Sequence, residues 1–233
     1  MNKKDHEEKV DALFTSIATR YDFINDIQSL GLHRLWKERI AKMSALIEGE
    51  YALDVCCGTG DLLMRLAKRS KRVVGLDMNS PMLEVALNQS KKPNANSASL
   101  FQADALSLPF NDSSFDLVTI AYGLRNLSDC QNGLREILRV LKPKGRLLIL
   151  DFGKPSNRLI RKLYYLYLKL VLPVFGLLFC GEPGAYAYIL DSLKKYPAQE
   201  GVFSSLSKLG YNNINISNIM LGTMSIHKAE KPA

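Results

Sequence analysis

A short apolar run that ends in a glycine-rich turn constrains this chain more than any other feature. Residues 53–61 read Leu-Asp-Val-Cys-Cys-Gly-Thr-Gly-Asp, and a helix-like pattern follows. The apolar part is typical of a buried parallel strand, while Gly58 and Gly60 allow a tight turn and the close approach of backbone N–H groups to a ligand. A dinucleotide-binding turn needs a third small residue three positions later, where this chain has Leu63. The turn therefore predicts a different cofactor, or a plain strand–turn–helix connection.

Short β-type runs alternate with helical stretches from residue 51 onwards, which favours a parallel sheet flanked by helices in an α/β domain. The predicted strands are 51–56, 72–77, 98–103, 115–121 and 145–151, followed by two closing strands around 214–216 and 224–226. Helical spacing covers 60–69 and 129–141. Ser80 and Pro81 predict a further helix, with Ser80 as its N-cap and the proline in its first turn.

The length and charge of the chain limit its domain organisation and its partners. Its 233 residues suit one domain with a sizeable core. Lysine and arginine outnumber aspartate and glutamate by 31 to 23, so polyanionic partners are permitted but not required. The four cysteines show neither zinc nor disulfide spacing, and the charged residues 1–20 contain no secretory signal. We therefore expect a reduced, cytoplasmic protein without a metal site.

Acids at the ends of the predicted strands mark a candidate cofactor site. Asp54, four residues before the glycine pair, resembles the acid of the first motif of class I S-adenosylmethionine methyltransferases, and it is a candidate for the cofactor's ammonium group. Asp77 ends the second strand close to the expected spacing of about 20 residues and can accept hydrogen bonds from the ribose hydroxyls. Asp104 and Ala105 follow the third strand and are suited to the adenine edge. The alternatives are a helix N-cap for Asp77 and a structural acid for Asp54.

The end of the fourth predicted strand carries candidate catalytic residues. It places Tyr122, Arg125 and Asn126 at the mouth where an acceptor would meet the methyl group. Arg125 stays protonated at all ordinary pH values, so it cannot act as a base, but it can stabilise a phenolate or orient a water molecule that removes a proton. A surface salt bridge is the alternative role for Arg125.

The N-terminal part of the chain carries the most specific motif. Residues 21–37 read Tyr-Asp-Phe-Ile-Asn-Asp-Ile-Gln-Ser-Leu-Gly-Leu-His-Arg-Leu-Trp-Lys and closely resemble the signature of the menaquinone and ubiquinone biosynthesis C-methyltransferases. Residues 123–126 and 139–155 agree, and the resemblance spans about residues 12–228. It implies a Rossmann-like, mostly parallel seven-stranded sheet with helices on both faces, plus N-terminal helices and a helical lid.

This resemblance implies one methyltransferase domain, 1–233, and roles for particular residues. Its parts would be a helical cap (5–48), a cofactor-binding core (49–155), a helical substrate lid (156–196) and a closing helix with strands (197–233). The resemblance implies that Thr59, Asp77, Asp104 and Ala105 contact S-adenosylmethionine and that Arg125 lies near the quinol. With the residues chosen from the motifs themselves, the candidate cofactor-binding residues are Tyr21, Asp54, Gly58, Thr59, Gly60, Asp77, Met78, Asp104 and Ala105, and the candidate catalytic residues are Arg125, His33 and Tyr122. His33 is an alternative base, or else a histidine that fixes its helix against Trp36. Tyr21 would stack on the cofactor, or would pack in the core.

The resemblance also implies the reaction, which is transfer of a methyl group from S-adenosylmethionine to a ring carbon of a reduced, prenylated quinol. The apolar stretch 159–180 suits the prenyl tail, whereas Lys169 and Pro173 argue against a membrane-spanning helix. Its basic edge, with Arg158, Arg161 and Lys162, is compatible with peripheral contact at the inner membrane. A homodimer is compatible with the sequence. Another small hydrophobic acceptor remains an alternative, and RNA is disfavoured because the chain lacks the motifs of RNA methylation.

Overall fold

The computed structural model describes residues 3–91, 98–180, 190 and 192–233. Seven strands form one sheet in the order β3-β2-β1-β4-β5-β7-β6. The strands are β1 (Tyr51–Val55), β2 (Arg72–Asp77), β3 (Ser99–Gln102), β4 (Phe115–Ala121), β5 (Leu141–Phe152), β6 (Asn212–Ile219) and β7 (Met224–Glu230). Strands β1 to β5 pair in parallel, and β7 is antiparallel to both of its neighbours. The predicted mostly parallel, seven-stranded sheet is therefore confirmed.

Helices cover both faces of this sheet because side chains alternate along each strand. The helices are α1 (Lys3–Ile17), α2 (Tyr21–Ser29), α3 (Leu32–Met43), α4 (Asp61–Ala67), α5 (Ser80–Ser90), α6 (Cys130–Val140), α7 (Arg158–Cys180) and α8 (Ala198–Lys208). Leu53 faces the core layer that also contains residues of α6 and α8, whereas the adjacent Ala52 faces the layer built with α3 and α4. The central strands are thus buried on both sides, as expected for parallel strands.

The structure corrects two local predictions, the N-cap of α5 and the start of β5. The predicted N-cap Ser80 lies inside the first turn of α5, because Asn79 is the cap and its side chain accepts a hydrogen bond from the Met82 N–H at 3.0 Å. Asn79 has the extended backbone that a cap requires. Strand β5 begins at Leu141 rather than at 145, and the irregular register between β4 and β5 accommodates the intervening Pro-Lys-Gly turn signal.

The first part of the predicted lid forms one long helix, α7. Helix α7 continues through Pro173, while residues 181–189 and 191 of the predicted lid lie outside the described residues. None of the described helices combines the length and the apolar character that a bilayer crossing would need.

Candidate active site

Two adjoining cavities open at the carboxyl ends of the parallel strands, where α/β sheets bind their ligands. The small cavity, of about 110 Å³, lies between the ends of β1 to β4 and helix α1. The large cavity, of about 530 Å³, lies between α2, α3 and α7. Three aromatic side chains, those of Phe14, Tyr21 and Tyr122, line both cavities. The two cavities therefore share an aromatic wall, across which a donor and an acceptor could meet.

The small cavity brings together most of the predicted cofactor-binding residues, although these lie far apart in the sequence. Those that line it are Tyr21, Gly58, Asp77, Met78, Asp104 and Ala105. They come from α2, from the glycine turn after β1 and from the ends of β2 and β3. Asp54, Thr59 and Gly60 do not line this cavity.

Asp77 is held so that its carboxylate faces the small cavity. Its two oxygens accept hydrogen bonds from the Gly58 N–H at 2.8 Å and the Asn79 N–H at 2.9 Å. Burial raises the pKa of Asp77, and the backbone hydrogen bonds from Asn79 and Gly58 oppose that rise. Each carboxylate oxygen can accept more than one hydrogen bond, so both remain able to accept from a diol. This arrangement fits the ribose of a nucleoside cofactor.

Two of the predicted residues that do not line the cavity, Thr59 and Gly60, belong to the glycine turn and fix its shape. Thr59 donates a hydrogen bond from Oγ1 to Oδ1 of Asp22 at 2.9 Å, which ties the turn to α2. Gly60 adopts φ +84°, and a Cβ added there would lie 3.1 Å from the Cβ of Ala86. Glycine thus allows both the left-handed turn and the close packing of α4 on α5.

Asp54 lies fully buried at the end of β1 and beneath the turn. Oδ1 of Asp54 accepts a hydrogen bond from Thr119 Oγ1 at 2.6 Å, whereas Oδ2 has no hydrogen-bond partner among the described residues. Burial raises the pKa of Asp54 to about 7, and the hydrogen bond from Thr119 offsets part of that rise. A buried acceptor without a partner is costly, so it marks a place where a cationic or hydrogen-bonding ligand group would be stabilised.

The large cavity is lined mainly by apolar side chains, but some of its lining residues carry buried polar atoms without a described partner. Among these atoms are Gln28 Nε2, His33 Nε2, Tyr122 Oη and Tyr164 Oη. Burial raises the pKa of Tyr122 well above its usual range and also raises that of Tyr164, so both hydroxyls remain protonated hydrogen-bond donors. A lining of this kind suits a ligand with an apolar body and a few polar groups.

Arg125 lines the large cavity from a buried ion pair. Its Nη1 donates hydrogen bonds to Asp151 Oδ1 at 3.0 Å and to the Tyr122 carbonyl at 2.6 Å, and its guanidinium lies 4.6 Å from the centre of the Phe152 ring. The side chains of Arg125 and Asp151 are only 6% and 1% exposed. The alternative of a surface salt bridge is therefore wrong. The guanidinium places a fixed positive charge at the cavity wall.

His33 and Tyr21 approach the same space from the N-terminal helices. The imidazole of His33 is buried, and its Nδ1 lies 2.9 Å from Ser29 Oγ. Burial lowers the pKa of His33, and the nearby charge of Lys37 lowers it further. His33 is therefore neutral at neutral pH.

Tyr21 packs its ring edge-on against Phe14, with the ring centres 5.9 Å apart.

Two lining residues, Gln28 and Tyr164, were not predicted as part of the site. Gln28 lies inside the signature 21–37 and Tyr164 inside the aromatic-rich stretch 156–196, but no spacing rule singles out either residue. They come together only in the folded chain, where residues of both α2 and α7 line the large cavity.

The model of the ubiE/COQ5 methyltransferase family matches residues 2–231. A ubiquinone/menaquinone biosynthesis C-methyltransferase UbiE from Azotobacter vinelandii is 40% identical over 228 residues, which is 96% of this chain and 90% of that protein. The protein of the same name from Pseudomonas fluorescens is 39% identical over 229 residues, or 97% of this chain and 90% of that protein.

A solved structure shows the same fold. The crystal structure of a SAM-dependent methyltransferase from Aquifex aeolicus superposes with a TM-score of 0.60 at 20% sequence identity, over 84% of this chain and 89% of that one. This likeness confirms the fold, and the matches over nearly the whole sequence show the family. The chain belongs to the ubiE/COQ5 methyltransferase family and is an S-adenosylmethionine-dependent C-methyltransferase.

Proposed function

We propose that the enzyme methylates a ring carbon of a prenylated demethylquinol in quinone biosynthesis. Demethylmenaquinol is the main acceptor in this proposal, and the benzoquinol intermediate of ubiquinone synthesis is a second one. The names of the relatives support this class of acceptor, since they mention both pathways. The observation that carries the proposal is the large cavity beside the small one, a mainly apolar space whose lining residues carry buried polar atoms with no partner among the described residues.

The residues around the small cavity would hold S-adenosylmethionine. Asp77 would accept hydrogen bonds from the ribose, Asp104 and Ala105 would contact the adenine, and Tyr21 would cover the cofactor. The unpartnered oxygen of Asp54 supports a role for that residue towards the ammonium group, together with the turn that contains Gly58. When bound, the cofactor supplies an electrophilic methyl group.

The large cavity would activate the quinol. A neutral ring carbon is a weak nucleophile, and loss of a hydroxyl proton moves charge onto the ring. The cation of Arg125 and the hydroxyl groups of Tyr122 and Tyr164 would stabilise the resulting phenolate. Correct placement of the ring carbon contributes as well. The proton could pass to a water molecule held by Arg125 or to His33.

We propose that Asp77 contributes a large share of the cofactor affinity. Asp77→Asn is expected to weaken S-adenosylmethionine binding by about 1–3 kcal/mol, because it removes a charged acceptor. Asp116→Asn is a matched control, since Asp116 also accepts a backbone N–H, from Tyr51 at 2.9 Å, but at the opposite end of the sheet. Calorimetric titration of both variants measures the effect. Equal affinity of Asp77→Asn and the parent would exclude the contact.

The prenyl tail would leave the large cavity towards a membrane surface. Exposed apolar side chains follow one face of α7 at helical spacing, namely Leu159, Leu163, Leu166, Leu170 and Val174. Leu30, which lines the cavity, is 88% exposed, and Leu221, which follows the lining residue Met220, is 74% exposed. Exposed leucines near a cavity are candidates for contact with a membrane. Basic residues at the start of α7 add about 1 kcal/mol per cation near anionic lipid.

Vesicle binding tests this membrane contact. We expect the enzyme to co-sediment with vesicles that contain anionic lipid, and the double variant Leu30→Gln/Leu221→Gln to bind at least several-fold less. Leu87→Gln is the control, because Leu87 is an exposed leucine (44%) on α5 that lines neither cavity. Equal binding by the parent, the double variant and Leu87→Gln would show that Leu30 and Leu221 do not contact the membrane.

A methyl-transfer assay tests the function. The enzyme is supplied with S-adenosylmethionine that carries a labelled methyl group and with one acceptor at a time, under reducing conditions. Label is expected in demethylmenaquinol, and also in the demethylated benzoquinol. Label in a sterol or in RNA, with none in either quinol, would refute the proposal.

A further inference from the structure

We infer that Nε2 of His33 takes the hydroxyl proton of the quinol, and that Ser29 is the positioning residue that keeps this nitrogen unprotonated. The inference rests on the proposed function, and it selects His33 over a water molecule held by Arg125.

The hydrogen bonds of Ser29 determine which ring nitrogen of His33 carries the proton. The Ser29 hydroxyl has a single hydrogen, and its Oγ lies 2.6 Å from the Asn25 carbonyl oxygen. Two oxygens at that distance require a hydrogen between them, so the hydroxyl donates to Asn25. The same Oγ must then accept from His33, both from the backbone N–H at 3.2 Å and from Nδ1 at 2.9 Å. Nδ1 is therefore the N–H, and Nε2 carries the lone pair.

The surroundings of Nδ1 support the same tautomer. Oδ1 of Asp26 lies 3.7 Å from Nδ1, and a carboxylate favours a protonated nitrogen beside it. Asp26 is held in place by Arg34, which donates two hydrogen bonds of 2.6 Å to it. This pair also keeps the pKa of Asp26 below its usual value, so the carboxylate is charged.

His33 supplies a basic atom, Nε2, among the side chains that line the large cavity. Nε2 is buried without a described partner. No aspartate, glutamate, lysine or cysteine is among the described residues that line the cavity. Arg125 is a cation, and burial raises the pKa values of Tyr122 and Tyr164. Of these side chains, only an imidazole can accept a proton near neutral pH.

Four charged side chains act on His33 from α2, α3 and α4. Asp26 and Asp61 favour the imidazolium, whereas Lys37 and Arg34 disfavour it, and burial opposes it most strongly. The net result is a pKa below the usual value, so the imidazole is neutral and able to accept at neutral pH. Once protonated, it would be stabilised by Asp26.

With His33 as the base, every proton and electron pair in the methyl transfer is accounted for. The quinol O–H bond breaks as the Nε2–H bond forms. The ring carbon then forms a bond to the methyl carbon while the bond from sulfur to that carbon breaks, and sulfur keeps its electron pair. The ring carbon finally loses its hydrogen as a proton to solvent, and the oxygen regains a proton from His33. General-base catalysis of this kind typically contributes about 10²- to 10⁴-fold to the rate.

Three variants test the assignment. His33→Gln is expected to lower kcat by about 10²- to 10⁴-fold and to leave the affinity for S-adenosylmethionine unchanged. Ser29→Ala is expected to lower kcat by about tenfold, because the imidazole loses its preferred tautomer, and Ser29→Thr is expected to restore it by returning a hydroxyl. Ser90→Ala is the matched control, since Ser90 also ends a helix and its Oγ donates to a carbonyl, that of Leu87, at 2.8 Å. It should leave kcat unchanged.

Two readouts separate this inference from the proposed function. Nitrogen-15 NMR of the histidines is expected to show an unprotonated Nε2 for His33 in the parent and in Ser29→Thr, and a mixture of tautomers in Ser29→Ala. The kcat of the parent should fall as pH drops through the lowered pKa of His33, and His33→Gln should lack that loss. A protonated Nε2 in the parent, or full kcat in His33→Gln, would overturn the inference while quinol methylation stands. If the parent methylates no quinol, the proposed function fails, and the NMR result still decides the tautomer.

Discussion

The variant Asp54→Asn is expected to be more stable than the parent at pH 8 in the absence of ligand, by up to about 4 kcal/mol. Asp54 is buried, one of its oxygens has no described partner, and its pKa is raised to about 7. Asparagine keeps an oxygen for the Thr119 hydroxyl and removes the charge. Because the same charge is proposed to favour the cofactor's ammonium group, the variant should also bind S-adenosylmethionine more weakly.

The sign of the pH dependence follows from the raised pKa. The usual pKa of an aspartate is 3.8, so folding is accompanied by uptake of a proton at Asp54 when the pH lies between that value and about 7. The contribution of Asp54 to stability is thus greatest in acid, and it is lost as pH rises through 7. The stability gap between Asp54→Asn and the parent should therefore be widest at pH 8 and should shrink towards pH 4.

Urea unfolding at pH 4, 6 and 8 measures this gap. Asp116→Asn provides a control of opposite sign, because a hydrogen bond from Lys142 and the Tyr51 N–H hold the pKa of Asp116 below its usual value despite partial burial. Loss of the Asp116 charge should destabilise the protein at pH 8. The same unfolding midpoint for Asp54→Asn and the parent at pH 8 would show that the carboxylate is not destabilising.

The variant Arg125→Met is expected to lose about 3–5 kcal/mol of stability and most of its turnover. It leaves the Asp151 carboxylate buried without its ion pair, although that carboxylate still accepts the backbone N–H groups of Arg125 and Phe152. It also removes the cation that would stabilise a phenolate at the wall of the large cavity. Arg125 is not among the residues that line the small cavity, so the affinity of the folded variant for S-adenosylmethionine should be nearly unchanged.

A double variant separates stability from chemistry. Arg125→Met/Asp151→Asn removes both charges, so it should regain most of the lost stability and remain slow, because its phenolate would still lack the cation. Thermal unfolding and single-turnover methyl transfer measure the two effects. Full turnover in the double variant would mean that Arg125 acts only through its ion pair with Asp151.

Much of the small cavity was predictable because its residues follow strand ends. Asp77 ends the apolar run of β2 and Asp104 lies two residues after β3, and the carboxyl ends of parallel strands meet at one edge of a sheet. Gly58 was predictable for the same reason, since it lies in the turn that follows the end of β1. Asp54 was predicted as a site residue from its motif, but the motif could not show that the glycine turn covers it.

The large cavity was much less predictable, since its polar atoms come from helices that meet only in the folded chain. Gln28 and Ser29 lie next to each other in α2 and both line the cavity, but only Ser29 also contacts the His33 ring through a hydrogen bond. Tyr164 enters from α7, far along the sequence. Periodicity predicts which residues a helix buries, but it does not predict which element will face them.

The aromatic wall of Phe14, Tyr21 and Tyr122 has a thermodynamic consequence. A ligand that packs against these rings on one side restricts the positions they can take for a ligand on the other side. Linkage then requires reciprocity, so whatever factor the methyl donor applies to the affinity of the quinol, the quinol applies to that of the donor. The supply of reduced quinone would thereby help to set how strongly this enzyme competes for a shared pool of methyl donor.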